Sequence, residues 1–277
     1  MGFADNFLPG VDPPAETPSD AWWFVFRGYR LLVQDDGSPR QLPLKQPPAT
    51  LGIDVTRQQY LGRLNGQHCF SAEVVEACQA PPGYDFHGLR RLYGALPEPL
   101  FWVAGAAVQI VDWDRTHQFC GRCGAATQDK QYERAKECPR CGLVHYPRIS
   151  PAVIVLVERG DHLLLARSKR HPPGLFSVLA GFVEPGETLE AAIRREIREE
   201  VGIEVADITY FGSQPWPFPN SLMIAFTCRH LSGEIRIDEA EMAEAAWYRW
   251  DDLPRIPPKL SIARQLIDWF LDKHGHF

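Results

Sequence analysis

The sequence predicts a mixed α/β protein with an α+β N-terminal domain, a short cysteine-rich segment and a C-terminal α/β domain. Residues 20–115 carry strand and hairpin patterns followed by a helical one. Residues 116–147 hold four clustered cysteines, and residues 148–277 alternate strand and helix patterns. Residues 1–19 are rich in Pro, Asp and Gly, so we expect this leader to be poorly ordered.

Two hairpins and a broken helix are predicted in residues 20–115. The run WWFVFRGYRLLVQ is typical of a strand or hairpin. The run YLGRLNGQHCFSAEVV predicts a hairpin that turns at Asn65-Gly66, since both residue types tolerate positive φ. The next stretch, GLRRLYGALPEPLFWVAGAAVQIVDWDR, is predicted to be helical with a break near Pro97 and Pro99.

Strands and helices alternate in the C-terminal part. The run PAVIVLVERGDHLLLARS predicts a hairpin around Arg159-Gly160-Asp161, and SLMIAFTCRHLSGEIRI is strand-like. The runs TLEAAIRREIREEVGI and SIARQLIDWFLDK have the spacing of amphipathic helices.

Composition and charge exclude several classes of protein. A net charge of −6 argues against a protein that grips nucleic acid mainly through phosphates, because such binding needs a basic surface. No apolar run approaches the roughly 18 residues that span a bilayer, so no membrane partner is expected. The N-terminal MGFADNFLPGVDPP lacks the basic and apolar regions of a secretory signal. We therefore expect a cytoplasmic protein.

The clustered cysteines have the spacing of a metal site. Two C-x2-C pairs stand fourteen residues apart, and each pair can point two thiolates at one ion from a tight turn. The alternatives are two disulfides or four free thiols. Four thiolates in a cytosolic chain favour one structural Zn2+ per chain, with no open coordination position. The predicted ligands are Cys120, Cys123, Cys138 and Cys141. The isolated Cys69, Cys78 and Cys228 are interpreted as small core residues.

Three carboxylates crowd one face of the predicted helix in TLEAAIRREIREEVGI. Glu196, Glu199 and Glu200 fall within an arc of roughly 100°. Thr188 is the predicted N-cap, and Arg194 and Arg198 are predicted to face water. Like charges this close repel, and a divalent cation such as Mg2+ or Mn2+ would relieve the repulsion. The alternative from the helix alone is a solvated acidic face.

The segment before this helix favours the metal site. Gly181 and Pro185-Gly186 predict a tight turn, and Glu187 is placed to pair with Arg195. The whole span GFVEPGETLEAAIRREIREEVGI resembles the Nudix box, G-x5-E-x7-R-E-U-x-E-E-x-G-U, where U is a bulky aliphatic residue. The resemblance implies an α/β/α sandwich that hydrolyses a nucleoside diphosphate linked to another group. It also implies that Glu196, Glu199 and Glu200 bind catalytic divalent metals; which glutamate is the base, and which phosphorus is attacked, stays open.

Residues 213–221, SQPWPFPNS, are unusually stiff and apolar. Three prolines fix the backbone, and in an extended segment Trp216 and Phe218 would point to the same side, ready to stack on a base. The alternative is a buried turn that fills a core gap. The stretch resembles the SQPWPFPxS pattern of the NADH pyrophosphatase branch of Nudix hydrolases, as do the cysteine segment and HYPRISPAVIV. The resemblance covers about residues 20–270.

That resemblance implies the activity and the remaining site residues. Water would attack the pyrophosphate of NADH or NAD+, giving AMP and nicotinamide mononucleotide; alternatives are removal of the NAD cap from RNA and a non-catalytic nucleotide sensor. Members are typically homodimers. Ala180 (through its carbonyl) and Glu241 resemble further metal ligands, with Glu239 and Glu244 as competitors for the role of Glu241. The residues that resemble substrate contacts are Gln214, Pro215, Trp216, Pro217, Phe218, Pro219, Asn220, Ser221, Tyr146, Glu133, Ala263 and Arg91, the last with Arg90 as a competitor.

Overall fold

The structure is a computed structural model that describes residues 6–35, 37 and 41–275. The chain divides into two compact units. The first runs to Arg148 and includes Pro217–Asn220, and the second holds Ile149–Trp216 and the residues from Ser221 onward. Over the described ranges, no helix is both long and apolar enough to cross a membrane.

The first unit contains a six-stranded sheet in the order β1-β4-β5-β2-β3-β6. Both predicted hairpins are confirmed, and Asn65 and Gly66 form the second turn with φ of 51° and 80°. The predicted helical stretch is interrupted before Pro97, which caps the longer helix. The elements are β1 (Phe7–Pro9), β2 (Trp22–Arg27), β3 (Arg30–Gln34), β4 (Arg57–Leu64), β5 (Gln67–Val74), β6 (Tyr84–Gly88), α1 (Leu89–Leu92) and α2 (Glu98–Thr116).

Part of the leader belongs to this sheet, so the prediction that it is poorly ordered is wrong there. Strand β1 pairs antiparallel with β4, and Phe7, opposite Leu64, is buried. The added strand satisfies backbone groups that the edge of β4 would otherwise expose.

The cysteine segment forms a small three-stranded sheet of β7 (Gln128–Asp129), β8 (Lys136–Glu137) and β9 (Val144–His145). Lys136 is buried and pairs with Asp114 at 2.9 Å and with Asp129 at 2.8 Å. Arg134 donates to the carbonyl oxygens of Tyr60 and Gly10. These two cations therefore stabilise the first unit, and their charged groups are already paired and do not form a basic surface for nucleic-acid phosphates.

The second unit is built on a mixed sheet in the order β13-β14-β10-β11-β15, with β12 paired to β10. Strands β10 and β14 run parallel, whereas the other pairs are antiparallel. The elements are β10 (Ser150–Arg159), β11 (His162–Ser168), β12 (Leu179–Phe182), α3 (Leu189–Val201), β13 (Glu204–Trp216), β14 (Ser221–Ser232), β15 (Met242–Arg249) and α4 (Ile262–His274).

A helix covers each face of this sheet. Successive side chains of a strand point to opposite faces. Val153 and Val155 of β10 accordingly join one core with Ile197 of α3, whereas Ile154 of β10 joins a second core with Leu266 of α4. The second unit is thus the α/β/α sandwich that the sequence predicts.

Candidate active site

Local interactions fix both ends of α3. Thr188 is the N-cap, and its hydroxyl accepts a hydrogen bond from the Ala191 amide at 3.2 Å. Gly202 ends the helix at a φ of 73°, and its amide donates to the Arg198 carbonyl. One face is buried through Ala192, Ile193, Ile197 and Val201. The predicted carboxylates lie on the neighbouring face.

Arg195 holds the loop before α3 and the carboxylates together. Its guanidinium donates to both oxygens of Glu187 at 2.9 Å and to Glu196 at 2.8 Å. It also reaches Glu199 at 3.1 Å and the Phe182 carbonyl at 2.9 Å. The Arg195 guanidinium in turn holds the pKa of Glu187 below its usual value. The predicted pairing of Glu187 with Arg195 is confirmed.

Gly181 allows Glu196 to lie against strand β12. The prediction that Gly181 forms a tight turn is wrong, since it lies within β12 and pairs with Val153. A Cβ at this position would come closer than 3.0 Å to the carboxyl carbon and both carboxylate oxygens of Glu196. Glycine is therefore needed for the close approach of a carboxylate.

Burial raises the free energy of the ionised carboxylates, and a bound cation would lower it. Desolvation, followed by the charges of Glu196, Glu241 and Glu199, raises the pKa of Glu200 to about 8. Desolvation also raises the pKa of Glu196. Oε2 of Glu200 is buried and has no hydrogen-bond partner among the described residues. A buried, unpaired carboxylate oxygen carries a desolvation penalty that a bound cation would offset.

The cluster opens into a cavity of about 450 Å3. Glu200, Glu241 and Ala180 all line it. Neither competitor of Glu241 lines this cavity, and the Glu244 carboxylate accepts from Arg167 at 2.6 Å. The geometry thus favours Glu241 as the carboxylate that joins α3.

This oxygen-rich set fits Mg2+ or Mn2+. Glu196, Glu199 and Glu200 of α3 and the nearby Glu241 offer the hard carboxylate oxygens that these ions prefer, and Ala180 lines the same cavity. The unpaired buried oxygen of Glu200 supports the fit independently.

The sequence interpretation missed the basic side of the same cavity. Ser168, Lys169, Arg170 and His171 line it together with Glu200. The signal was a run of three basic residue types directly after a predicted strand.

The four predicted zinc ligands come together in the first unit. Their sulfur atoms lie 3.5 Å apart for Cys120 and Cys141, 3.5 Å for Cys123 and Cys138, and 3.7 Å for Cys123 and Cys141. A tetrahedron with Zn–S bonds of about 2.3 Å has edges of about 3.8 Å, close to these values. The geometry fits one structural zinc ion.

The SQPWPFPNS segment forms a hairpin tip. Trp216 ends β13 opposite Ser221, the first residue of β14, and Pro217–Asn220 form the turn. The extended arrangement that would place Trp216 and Phe218 on one side is therefore not formed. Within the first unit, Pro217 packs on Gly105, where an added Cβ would come within 3.0 Å of it.

Gln214 stabilises the start of α4 through its buried side chain. Its side chain is fully buried, its amide nitrogen donates to the Leu260 carbonyl at 2.9 Å, and its oxygen accepts from the Ile262 amide at 2.7 Å. The polar atoms of this side chain are therefore paired within the second unit, and the predicted substrate contact of Gln214 stays a prediction. Ala263, also predicted to contact substrate, is 5% exposed in the first turn of α4. Pro215 stands opposite Leu222 in the same sheet.

The remaining predicted substrate residues lie in the first unit. The Arg90 guanidinium lies 4.4 Å from the centre of the Phe218 ring, so Arg90, the competitor of Arg91, contacts the hairpin tip. Tyr146 is exposed and donates through its hydroxyl to Glu133 at 2.8 Å. Asn220 lines a cavity of about 260 Å3, and Pro219 follows a cis peptide bond.

Three family models match the chain in succession. Residues 20–113 match an NADH pyrophosphatase-like rudimentary NUDIX domain, and residues 115–146 match an NADH pyrophosphatase zinc ribbon domain. Residues 148–270 match the NUDIX domain.

Relatives of similar length match across nearly the whole chain. A protein from Deinococcus radiodurans named NAD-capped RNA hydrolase NudC is 45% identical over 267 residues, which are 95% of this chain and 91% of the relative. Proteins of the same name from Pseudomonas aeruginosa PAO1 and Chromobacterium violaceum are 43% and 44% identical. The matches cover 98% and 94% of this chain, and 96% and 95% of those relatives.

Proposed function

The chain belongs to the NADH pyrophosphatase branch of the Nudix hydrolases, and on that premise we propose that it hydrolyses the pyrophosphate of NAD(H) to AMP and nicotinamide mononucleotide. The observation that carries the proposal is the buried carboxylate cluster at the 450 Å3 cavity, where Glu200 keeps an unpaired oxygen.

The proposed catalytic metal ligands are Glu196, Glu199, Glu200, Glu241 and the Ala180 carbonyl. When bound there, Mg2+ or Mn2+ supplies charge neutralisation of the pyrophosphate and activation of the attacking water. Arg195 positions this set through its bonds to two of the glutamates, and Glu187 anchors Arg195. Gly181 lets Glu196 sit against β12.

Substrate recognition is assigned to the hairpin tip and the exposed polar pair of the first unit. Phe218 and Trp216 offer aromatic faces, and stacking of a base on an aromatic ring contributes about 1–3 kcal/mol. Tyr146 and Glu133 offer a hydroxyl and a carboxylate, both on exposed side chains. Arg91 and Arg90 are exposed on α1. Gln214 fixes the start of α4, Pro217 packs on Gly105, and Ser221 stands opposite Trp216 at the base of the turn.

The same site is proposed to remove the NAD cap from RNA. Three relatives that match nearly the full chain carry the name NAD-capped RNA hydrolase. The cap presents the same pyrophosphate, so the chemistry is unchanged. The acidic chain argues that RNA is held near the cap and not along an extended basic surface.

A product assay tests the proposal. Purified protein with its zinc retained is mixed with NADH and Mg2+ or Mn2+, and the nucleotides are separated by chromatography. We expect AMP and reduced nicotinamide mononucleotide, with turnover abolished by EDTA and reduced about 1000-fold by Glu200→Gln. Glu190→Gln makes the same change at an exposed position of α3 and is expected to leave turnover intact. Binding of NAD without metal-dependent turnover would contradict the proposal and favour a sensor.

We further propose a homodimer in the cytoplasm. The support is the resemblance to a family whose members are typically dimeric. Light scattering tests the first part: a mass near twice the 31.3 kDa of the chain is expected, and a monomer mass would contradict it. Cell fractionation tests the second part.

A further inference from the structure

A short basic loop faces the carboxylates across the catalytic cavity. We use "basic loop" for Ser168–His171, which follows β11. Its four residues line the same 450 Å3 cavity as Glu200 and Glu241. The cavity therefore has an acidic side, which suits metal ions, and a basic side, which suits phosphate oxygens.

The basic loop is fixed to the segment that carries Glu241. The Lys169 amide donates to the Glu241 carbonyl at 2.9 Å, and the Ser168 hydroxyl donates to the same oxygen at 3.4 Å. The Arg170 amide donates to the Ser168 hydroxyl oxygen at 3.3 Å. These hydrogen bonds fix the backbone at the point from which the exposed Arg170 side chain extends.

Arg170 differs from the two neighbouring cations, Arg167 and Lys169, in the partners of its side chain. Arg167 is committed to Glu244 through two hydrogen bonds. The ammonium of Lys169 donates to the Glu239 carbonyl. The guanidinium of Arg170 has no hydrogen-bond or ion-pair partner among residues 6–35, 37 and 41–275, and the side chain is exposed. A planar guanidinium of this kind matches the oxygens of a phosphate.

NAD-capped RNA carries one phosphate group more than NAD(H) close to the bond that is cleaved. NAD(H) has one pyrophosphate, and the metal-binding carboxylates already account for it under the proposed function. In NAD-capped RNA, the ribose of the cap adenosine also carries the phosphodiester of the next nucleotide. We propose that Arg170 binds that first phosphodiester, so that the basic loop selects capped RNA over free NAD(H). This inference rests on the proposed function and adds a substrate-selecting residue to it.

Steady-state kinetics on two substrates tests the inference. The full chain, loaded with zinc and saturated with Mg2+ or Mn2+, is assayed with NADH and with a single-stranded NAD-capped oligoribonucleotide. A charge-assisted hydrogen bond is worth enough to change KM by about tenfold or more. We therefore expect Arg170→Ala to raise KM for capped RNA about tenfold while KM for NADH changes less than about twofold. Arg170→Lys should recover part of the loss, because it keeps the charge but not the bidentate geometry.

A matched control separates local contact from overall charge. Arg194 is exposed on the far face of α3, and Arg194→Ala removes the same charge from the same unit. We expect this variant to match the wild type on both substrates. A second readout is the salt dependence of KM for capped RNA, whose logarithmic slope should fall by about 0.7 in Arg170→Ala.

The outcomes distinguish the inference from the function on which it rests. Equal losses on both substrates would assign Arg170 to the pyrophosphate, and no loss on either would leave it a solvated side chain; both overturn the inference. Wild-type cleavage of NADH but not of capped RNA also overturns it and leaves the NAD(H) activity standing. Cleavage of neither substrate would refute the proposed function itself.

Discussion

Gly181→Ala is predicted to disable the active site while leaving the fold intact. The backbone of Gly181 is not in the positive-φ region, so alanine brings no conformational strain there. The new methyl group would instead overlap the carboxyl group of Glu196, whose side chain is 15% exposed and bonded to Arg195. The carboxylate must then move away from β12.

The size of the effect follows from that displacement. Real Cβ contacts do not fall below 3.0 Å, and all three carboxyl atoms of Glu196 lie closer than this to the added methyl group. A displacement of roughly 1 Å at a catalytic group costs about 100-fold in rate. That factor corresponds to about 2.7 kcal/mol of transition-state stabilisation. Overpacking of this kind lowers the free energy of unfolding by about 1–3 kcal/mol.

The assay compares kcat/KM for NADH at saturating Mg2+ or Mn2+ with chemical unfolding of the same variant. Gly212→Ala is the control, because its Cβ would meet only Ile262 at 4.0 Å, an ordinary contact. A Gly181→Ala variant that keeps kcat/KM within about threefold of wild type would refute the reasoning, since a carboxylate displaced by roughly 1 Å should lose about 100-fold. If the variant unfolded, the overlap of the added methyl group with the Glu196 carboxyl group would instead have displaced the backbone of β12.

Three further predictions concern stability and metal. Gln214→Leu leaves the buried Leu260 carbonyl and Ile262 amide unpaired, so we expect the free energy of unfolding to fall by about 2–6 kcal/mol in denaturant titrations, and a loss below about 1 kcal/mol would contradict the assignment. Cys138→Ser removes one of the four thiolates, so we expect the variant to lose its bound zinc and to unfold at a lower Tm. Elemental analysis measures the zinc, and retention of one zinc per chain would refute the four-thiolate site. Brief EDTA treatment should abolish NADH turnover, and added Mg2+ or Mn2+ should restore turnover while the zinc content of the protein stays constant. If turnover returned only after zinc was added, the catalytic and structural metal sites would not be separate.

Local rules predicted the parts of the site that depend on neighbouring residues. The N-cap at Thr188, the apolar stripe of α3 and the pairing of Glu187 with Arg195 all lie within one helix and its preceding loop. Helical periodicity and capping chemistry suffice for these features. The C-x2-C spacing likewise determines each half of the zinc site, since Gly124 and Gly142 donate from equivalent positions to Cys120 and Cys138.

Gln214 shows where a motif could not reveal the role of a residue. A glutamine between a serine and a proline gives no sign of burial, and its partners lie 46 and 48 residues further along the chain. Its side-chain amide pairs with one backbone group at the start of α4 and one in the preceding loop, which would otherwise have no hydrogen-bond partner. The role of Gln214 depends on the packing of α4 against β13, which no local sequence pattern predicts.

The choice among Glu239, Glu241 and Glu244 depends on strand register. Strand β15 pairs with β11 so that Glu244 stands opposite Arg167, and the register then shifts between Arg167 and Ser168. The shift is typical of a β-bulge, which redirects side chains beside functional sites. As a result one glutamate neutralises an arginine while Glu241 joins the carboxylates of α3 at the cavity. The same shift starts the basic loop, so one irregularity in this strand pair places the last proposed metal ligand and the unpaired Arg170 at one cavity.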